Sequence, residues 1–198
     1  MVQKKIVIGL VGSIASGKGI VADFLKKRGF WATSLSDRIR EELKREKKEI
    51  TREALQAMAD QLRKKFGPAV LAERTWQKAT EQGFSKTVID SIRGEAEVDY
   101  LKSKDNFYLI GVKALRRKRF LWAKERNREG EPLSWQKFVA VDKKDFKSGQ
   151  GKMGRNITAC LEKSDFLINN NGTIKELEVK VLEILKKIEK EVLVVLEK

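Results

Sequence analysis

Histidine is absent from the 198 residues, cysteine occurs once and proline twice. Without histidine there is no imidazole base and no histidine metal ligand, which excludes His-based catalytic triads and His-metal sites. The single cysteine, Cys160, cannot form an internal disulfide, and its place in an apolar-periodic segment marks it as a buried thiol rather than a nucleophile. Two prolines and no Gly/Ser-rich linker leave nothing that divides the chain, so one domain with subdomains is expected. Long apolar runs are also lacking. The apolar run near the start is too short to cross a bilayer and has no signal-peptide cleavage pattern, so a reducing cytoplasm is the expected compartment.

Charge is what the chain has in excess. Lysine and arginine number 43 against 28 aspartates and glutamates, a net charge of +15. Such a surface is either plainly solvated or matched to a polyanion, nucleotide phosphates or nucleic acid. The positions of the arginines must separate these readings. Apolar residues at 41% are enough for a globular core.

Residues 5–11 (KIVIGLV) read as a buried strand ended by glycine, and 20–27 as a helix stopped at Gly29. Residues 30–34 (FWATS) are a second strand. Ser36 and Asp37 are placed to cap a helix to about residue 47, and Thr51 opens another that runs to Phe66, where Gly67-Pro68 breaks it; a third continues to about residue 82. Strands follow at 86–90 (KTVID), 106–112 (NFYLIGV) and 165–169 (DFLIN), with helices at 95–103, 115–128, 134–146, 156–163 and 173–197. The last carries a stripe of Ile174, Leu177, Val181, Leu185, Ile188, Val192 and Leu196, read as core packing before a dimer seam. Strands alternating with helices imply a parallel sheet covered on both faces.

The firmest motif is G-x-x-x-x-G-K, residues 12–18, between the first strand and its helix. Gly12, Ser13, Ile14, Ala15, Ser16 and Gly17 would turn backbone amides inward around a phosphate, the helix N-terminus adds its dipole, and Lys18 brings a mobile charge to the β- and γ-phosphates. Gly19 takes the place where the usual loop has a Mg²⁺-binding hydroxyl. Asp90 ends a strand of the expected parallel sheet, on the ligand side, in D-S-I-R, and would hold hydrated Mg²⁺. Arg63, in LRKKFG, either faces the bound ligand or stands in solvent. The segment RRKRFLWAKERNR, residues 116–128, reads as a nucleic-acid patch with Phe120 and Trp122 available for stacking, as a packed amphipathic helix, or as a lid that neutralises a transferred phosphoryl group. Its place before a Gly/Pro loop favours the lid. Asn169-Asn170-Asn171-Gly172-Thr173 either touches an adenine or caps the last helix.

GLVGSIASGKG, LSDRIREE, VIDSIRGEAEV, SWQKFVAVDKKD and DFLINNNGT together resemble a branch of the P-loop kinases across nearly the whole chain. The branch holds adenylate-kinase-like nucleoside and deoxynucleoside monophosphate kinases, dephospho-CoA kinases and archaeal and bacterial relatives. The resemblance implies an α/β three-layer P-loop NTPase sandwich with a five-stranded parallel sheet: a core of residues 1–36, 84–125 and 152–198, a helical acceptor-binding insertion at 37–83 and a lid at 126–151. Relatives read GKGT, so Gly19 fits and Ile20 departs, costing one hydroxyl contact. D-x-x-R at Asp37 to Arg40 resembles the acceptor segment, with Arg40 as the phosphate fork. Asp90 to Arg93, D-S-I-R, resembles the D-G-x-x-R or D-G-I-R segments of the same kinases, with Ser91 in the glycine place and Arg93 as second clamp. Arg119 and Arg126 match the lid arginines, Arg128 adds to them, and Trp122 stands where relatives often have another. The implied reaction is phosphoryl transfer from ATP, with Mg²⁺, to a nucleoside monophosphate. Dephospho-CoA phosphorylation, with Asp37 as base, is the second reading, and nucleotide or nucleic-acid binding without turnover is the third.

Overall fold

A computed structural model of the chain describes residues 5–127, 134–146 and 154–194. Five strands, Ile6–Val11 (β1), Trp31–Ser34 (β2), Lys86–Ile92 (β3), Phe107–Lys113 (β4) and Phe166–Asn169 (β5), form one sheet in the order β2-β3-β1-β4-β5. Every pairing is parallel. Central β1 is buried at all six residues, which is why its sequence is an unbroken apolar run rather than an alternation.

Side chains alternate across β1 and divide the core into two layers. Ile6, Ile8 and Leu10 face Lys18–Lys26 (α1) and Ile174–Val194 (α9), meeting Val21, Leu25, Val181 and Ile188. Val7 and Val11 face the opposite cluster, which contains Leu35, Leu43, Leu62, Leu71, Val98 and Cys160. That side is built by Leu35–Arg45 (α2), Arg52–Phe66 (α3), Val70–Glu81 (α4), Glu95–Lys102 (α5) and Ile157–Glu162 (α8). Arg116–Arg126 (α6) and Trp135–Phe146 (α7) follow β4. The result is the three-layer α/β sandwich expected from the sequence, with α2, α3 and α4 standing between β2 and β3.

Two helix starts differ from expectation. α1 opens at Lys18 rather than Ile20, directly after Gly17 in left-handed backbone. α2 is capped by Ser34, whose hydroxyl accepts the Ser36 amide, because the last residue of β2 still has extended backbone and so meets the cap requirement. Asp37 thereby falls in the first turn of α2, where its charge favours the helix dipole. The terminal stripe packs as core from Leu177 to Val192, but Ile174 is 60% exposed.

Candidate functional site

Residues 12–17 form the turn between β1 and α1. Gly12 lies so close to β4 that a Cβ would collide with the Val112 carbonyl oxygen, and Gly17 has φ 102° with its Cβ position filled by Asn170. Ala15 also has positive φ, 56°, although it carries a Cβ. The loop is closed by the Ser16 amide donating to Ser13 O at 3.2 Å. Lys18 Nζ arches back over it, donating to the carbonyls of Gly12 (2.6 Å) and Ser13 (2.9 Å). Asn170 Nδ2 donates to Ser16 O at 3.0 Å, so the turn that follows β5 supports the loop. The Ser16 hydroxyl is buried and without a hydrogen-bond partner. A buried hydroxyl held this way at the mouth of a helix N-terminus fits an anionic oxygen.

β3 delivers the carboxylate. Its pairing with β1 slips between Gly9 and Val11, so that Asp90 and Ser91 sit in a bulge. Ser91 has φ 66°, and its amide donates to Asp90 Oδ1 at 2.6 Å. This is left-handed backbone, the conformation that glycine adopts most readily. The Ser91 hydroxyl meets those of Ser34 (3.0 Å) and Ser36 (3.2 Å), tying the ends of β2 and β3 together.

These ends open on a cleft of about 830 Å³ lined by Ser16, Lys18, Gly19, Arg40, Asp90 and Arg93, among others. Arg63 and Arg126 line it as well, and so do Arg52 and Arg155, which carry no local motif and were not foreseen. Seven basic side chains thus face three carboxylates, Glu49, Glu53 and Asp90, an excess that attracts polyanions.

Arg63 is not a solvent-facing helix charge. Its side chain is buried, with Nη2 donating to Glu97 Oε1 at 2.9 Å and Nη1 3.5 Å from Asp60 Oδ1. Glu97 is fully buried, and its other oxygen accepts the amides of Arg93 and Gly94, each at 2.9 Å. One carboxylate therefore orients both Arg63 and the Arg93 backbone. Its sequence signal was present, a glutamate three residues into a helix capped by Gly94, but a capping pattern does not reveal a partner on another helix.

Six expected site residues, Gly12, Ser13, Gly17, Ile20, Asp37 and Arg119, do not line the cleft. Arg119 is buried behind the phosphate loop, bonded to Ile14 O at 3.1 Å and to Asp142 at 2.6 and 2.9 Å. Asp37 holds Arg40 at 3.4 Å. Ile20 packs, partly buried, against the apolar layer of α1 and α9, so a hydrocarbon is what its surroundings hold. Arg128 lies outside the described residues. In the 169–173 turn, Thr173 caps α9 by accepting the Glu176 amide at 3.2 Å, while Asn171 Oδ1 accepts the Leu115 amide at 2.9 Å. Cys160 is buried, and burial first, then Glu97 and Glu95, push its thiol up to about 12. It remains a thiol at neutral pH, as expected of a structural residue.

The architecture is that of the P-loop kinase fold: a parallel sheet with a glycine-rich loop after its central strand and a helical segment facing that loop. Comparison with known proteins agrees. A shikimate kinase from Acinetobacter baumannii, solved with shikimate, is similar over 93% of this chain and 95% of its own, with TM-score 0.56 and 14% identity. A dephospho-CoA kinase from Campylobacter jejuni is similar over 93% and 97%, with TM-score 0.50 and 17% identity. At these identities the likeness is one of fold. No protein-family model matches the chain. In sequence it is 31% identical over 186 residues to a UPF0200 protein of Methanoregula boonei, covering 93% of this chain and 98% of that one. The chain belongs to the UPF0200 family. Among the described residues no helix is long and apolar enough to cross a membrane.

Proposed function

We propose that this protein transfers the γ-phosphoryl group of ATP to the phosphate of a nucleoside or deoxynucleoside monophosphate. One observation carries the reading: Lys18 and Asp90, the donor side, share a single cleft with Arg40, Arg63 and Arg93, the acceptor side. In this reading the amides of residues 12–19, the Ser16 hydroxyl and Lys18 hold the donor phosphates. Arg40 and Arg93 fork onto the acceptor phosphate, with Arg63 behind them. Arg126, at the cleft, and Arg128 neutralise charge on the group in flight. Arg119 acts on the loop from behind.

An acceptor phosphate oxygen is already anionic at neutral pH, so no general base is required. The new bond forms from that oxygen to the γ-phosphorus, the bond to the β,γ-bridging oxygen breaks, and ADP leaves. Catalysis then rests on alignment and charge neutralisation. Mg²⁺ fits beside Asp90. Among the described residues no three His, Cys, Asp or Glu side chains cluster, so it would be held by Asp90, water and phosphate oxygens, and would supply charge neutralisation there.

A hydroxyl acceptor such as dephospho-CoA would need a carboxylate base near the loop. Asp37, the candidate from the sequence, holds Arg40 and does not line the cleft, which favours the phosphate acceptor. The test is an assay of the purified protein with Mg·ATP against the ribo- and deoxyribonucleoside monophosphates, with dephospho-CoA and shikimate alongside. The expected products are ADP and a nucleoside diphosphate. Phosphorylation of a hydroxyl acceptor alone, or ATP binding with no transfer to any acceptor, would refute the proposal.

A further inference from the structure

We infer that Asp142 is a positioning residue for the phosphate loop, acting through Arg119. Asp142 lies on α7, far from the loop in sequence, and is fully buried. Its two oxygens take the Arg119 fork, Oδ1 to Nη1 at 2.6 Å and Oδ2 to Nη2 at 2.9 Å, and Oδ2 also accepts Arg116 Nε at 2.7 Å. Arg119 Nε is fixed by the Ala114 carbonyl at 3.1 Å. With the guanidinium plane set on these sides, the second hydrogen on Nη1 points to the Ile14 carbonyl oxygen, 3.1 Å away.

The bond lands beside the loop's one non-glycine residue with positive φ, Ala15. The Ile14 carbonyl precedes the amide of Ala15, whose left-handed backbone is disfavoured for a residue with a Cβ and persists only when its surroundings hold it. α7 is itself docked on α6 through aromatic edges, Phe120 to Phe138 at 5.5 Å and Phe120 to Trp135 at 5.4 Å. Phe138, one turn before Asp142, lies 5.7 Å from the Arg119 guanidinium. Packing therefore brings in the carboxylate, the carboxylate orients the arginine, and the arginine holds the loop. A guanidinium is suited to this because its planar fork bonds two oxygens on one side and a carbonyl on the other, which an ammonium does not. A role for Arg119 in packing alone would not require a bond to the loop backbone.

The test uses the full chain without ligand. Hydrogen–deuterium exchange over residues 12–17 is compared for wild type, Asp142→Asn, Arg119→Lys and the double variant, with ATP affinity measured by calorimetry on the same samples. Either single change is expected to speed loop exchange and weaken ATP by about tenfold, the lower end of what is lost when a carboxylate orienting a metal-binding side chain is removed. The double variant should be no worse than the worse single one, since both break one brace. Asp142→Glu, which keeps the charge, should recover part of the loss. Unchanged exchange over 12–17 in folded single variants overturns the inference, as does a double variant whose loss is the product of the two. If Asp142→Asn does not fold, Arg119→Lys carries the same expectation. The affinity arm rests on the nucleotide reading and the exchange arm does not. Wild-type protein that binds no ATP would therefore refute that reading, while loop exchange still decides the role of Asp142.

Discussion

Glu97 is where a single side chain carries most. It is buried, neutralises buried Arg63 and satisfies two backbone amides at the start of α5. Glu97→Ala would leave the buried Arg63 guanidinium only the more distant, exposed Asp60 carboxylate, and we expect a loss of about 3–5 kcal/mol in urea unfolding. Glu97→Gln, which still accepts from the amides, should lose less. Cys160 makes a different prediction. Its thiol ionises near 9.0 in the unfolded chain but only at about 12 in the fold. Between these values the folded state holds the proton that the unfolded state releases, so stability falls as pH rises. Unfolding of wild type and Cys160→Ala from pH 8 to 12 should show wild type losing its advantage between pH 9 and 12. A constant difference between the two would contradict the burial of the thiol.

At the scale of elements, α9 is tested by two isoleucines from one stripe. Ile188 is fully buried and Ile174 is 60% exposed. Ile188→Ala should cost about 2–5 kcal/mol in chemical unfolding, and Ile174→Ala should change little. From the sequence the two look alike, because periodicity identifies a helix face but not how far along the helix its neighbours extend. β1 and β4 were legible for the opposite reason: strands covered on both faces leave a continuous apolar run that needs no context. Residues 12–18, Asp90 and Arg93 were legible because their pattern is local. The surroundings of Arg63 and Arg119 were not, since their partners Glu97 and Asp142 lie 34 and 23 residues away. Arg52 and Arg155 reach the cleft only because α3 and the segment before α8 converge there, and no spacing along the chain records that convergence.

For the whole molecule, the cleft holds seven basic side chains against three carboxylates, an excess of four out of the net +15. If that cleft binds Mg·ATP, the ligand should raise the melting temperature. At a hundred times Kd the stabilisation is about 2.7 kcal/mol. For a domain of this size that corresponds to a shift of roughly 5–10 °C. A thermal melt with ATP at low and high salt measures it, and no shift at either salt would contradict nucleotide binding. The Arg63–Glu97 pair also has a mechanical meaning. It rivets the C-terminal part of α3 to α5, and α5 belongs to the layer that covers the sheet. The opposite end of α3 is reached through residues 46–50, all exposed, with Thr51 half-buried. At that end Glu49, Ile50 and Thr51 line the rim of the cleft. A load placed on the C-terminal part of α3 is therefore passed through one carboxylate to the backbone of Arg93.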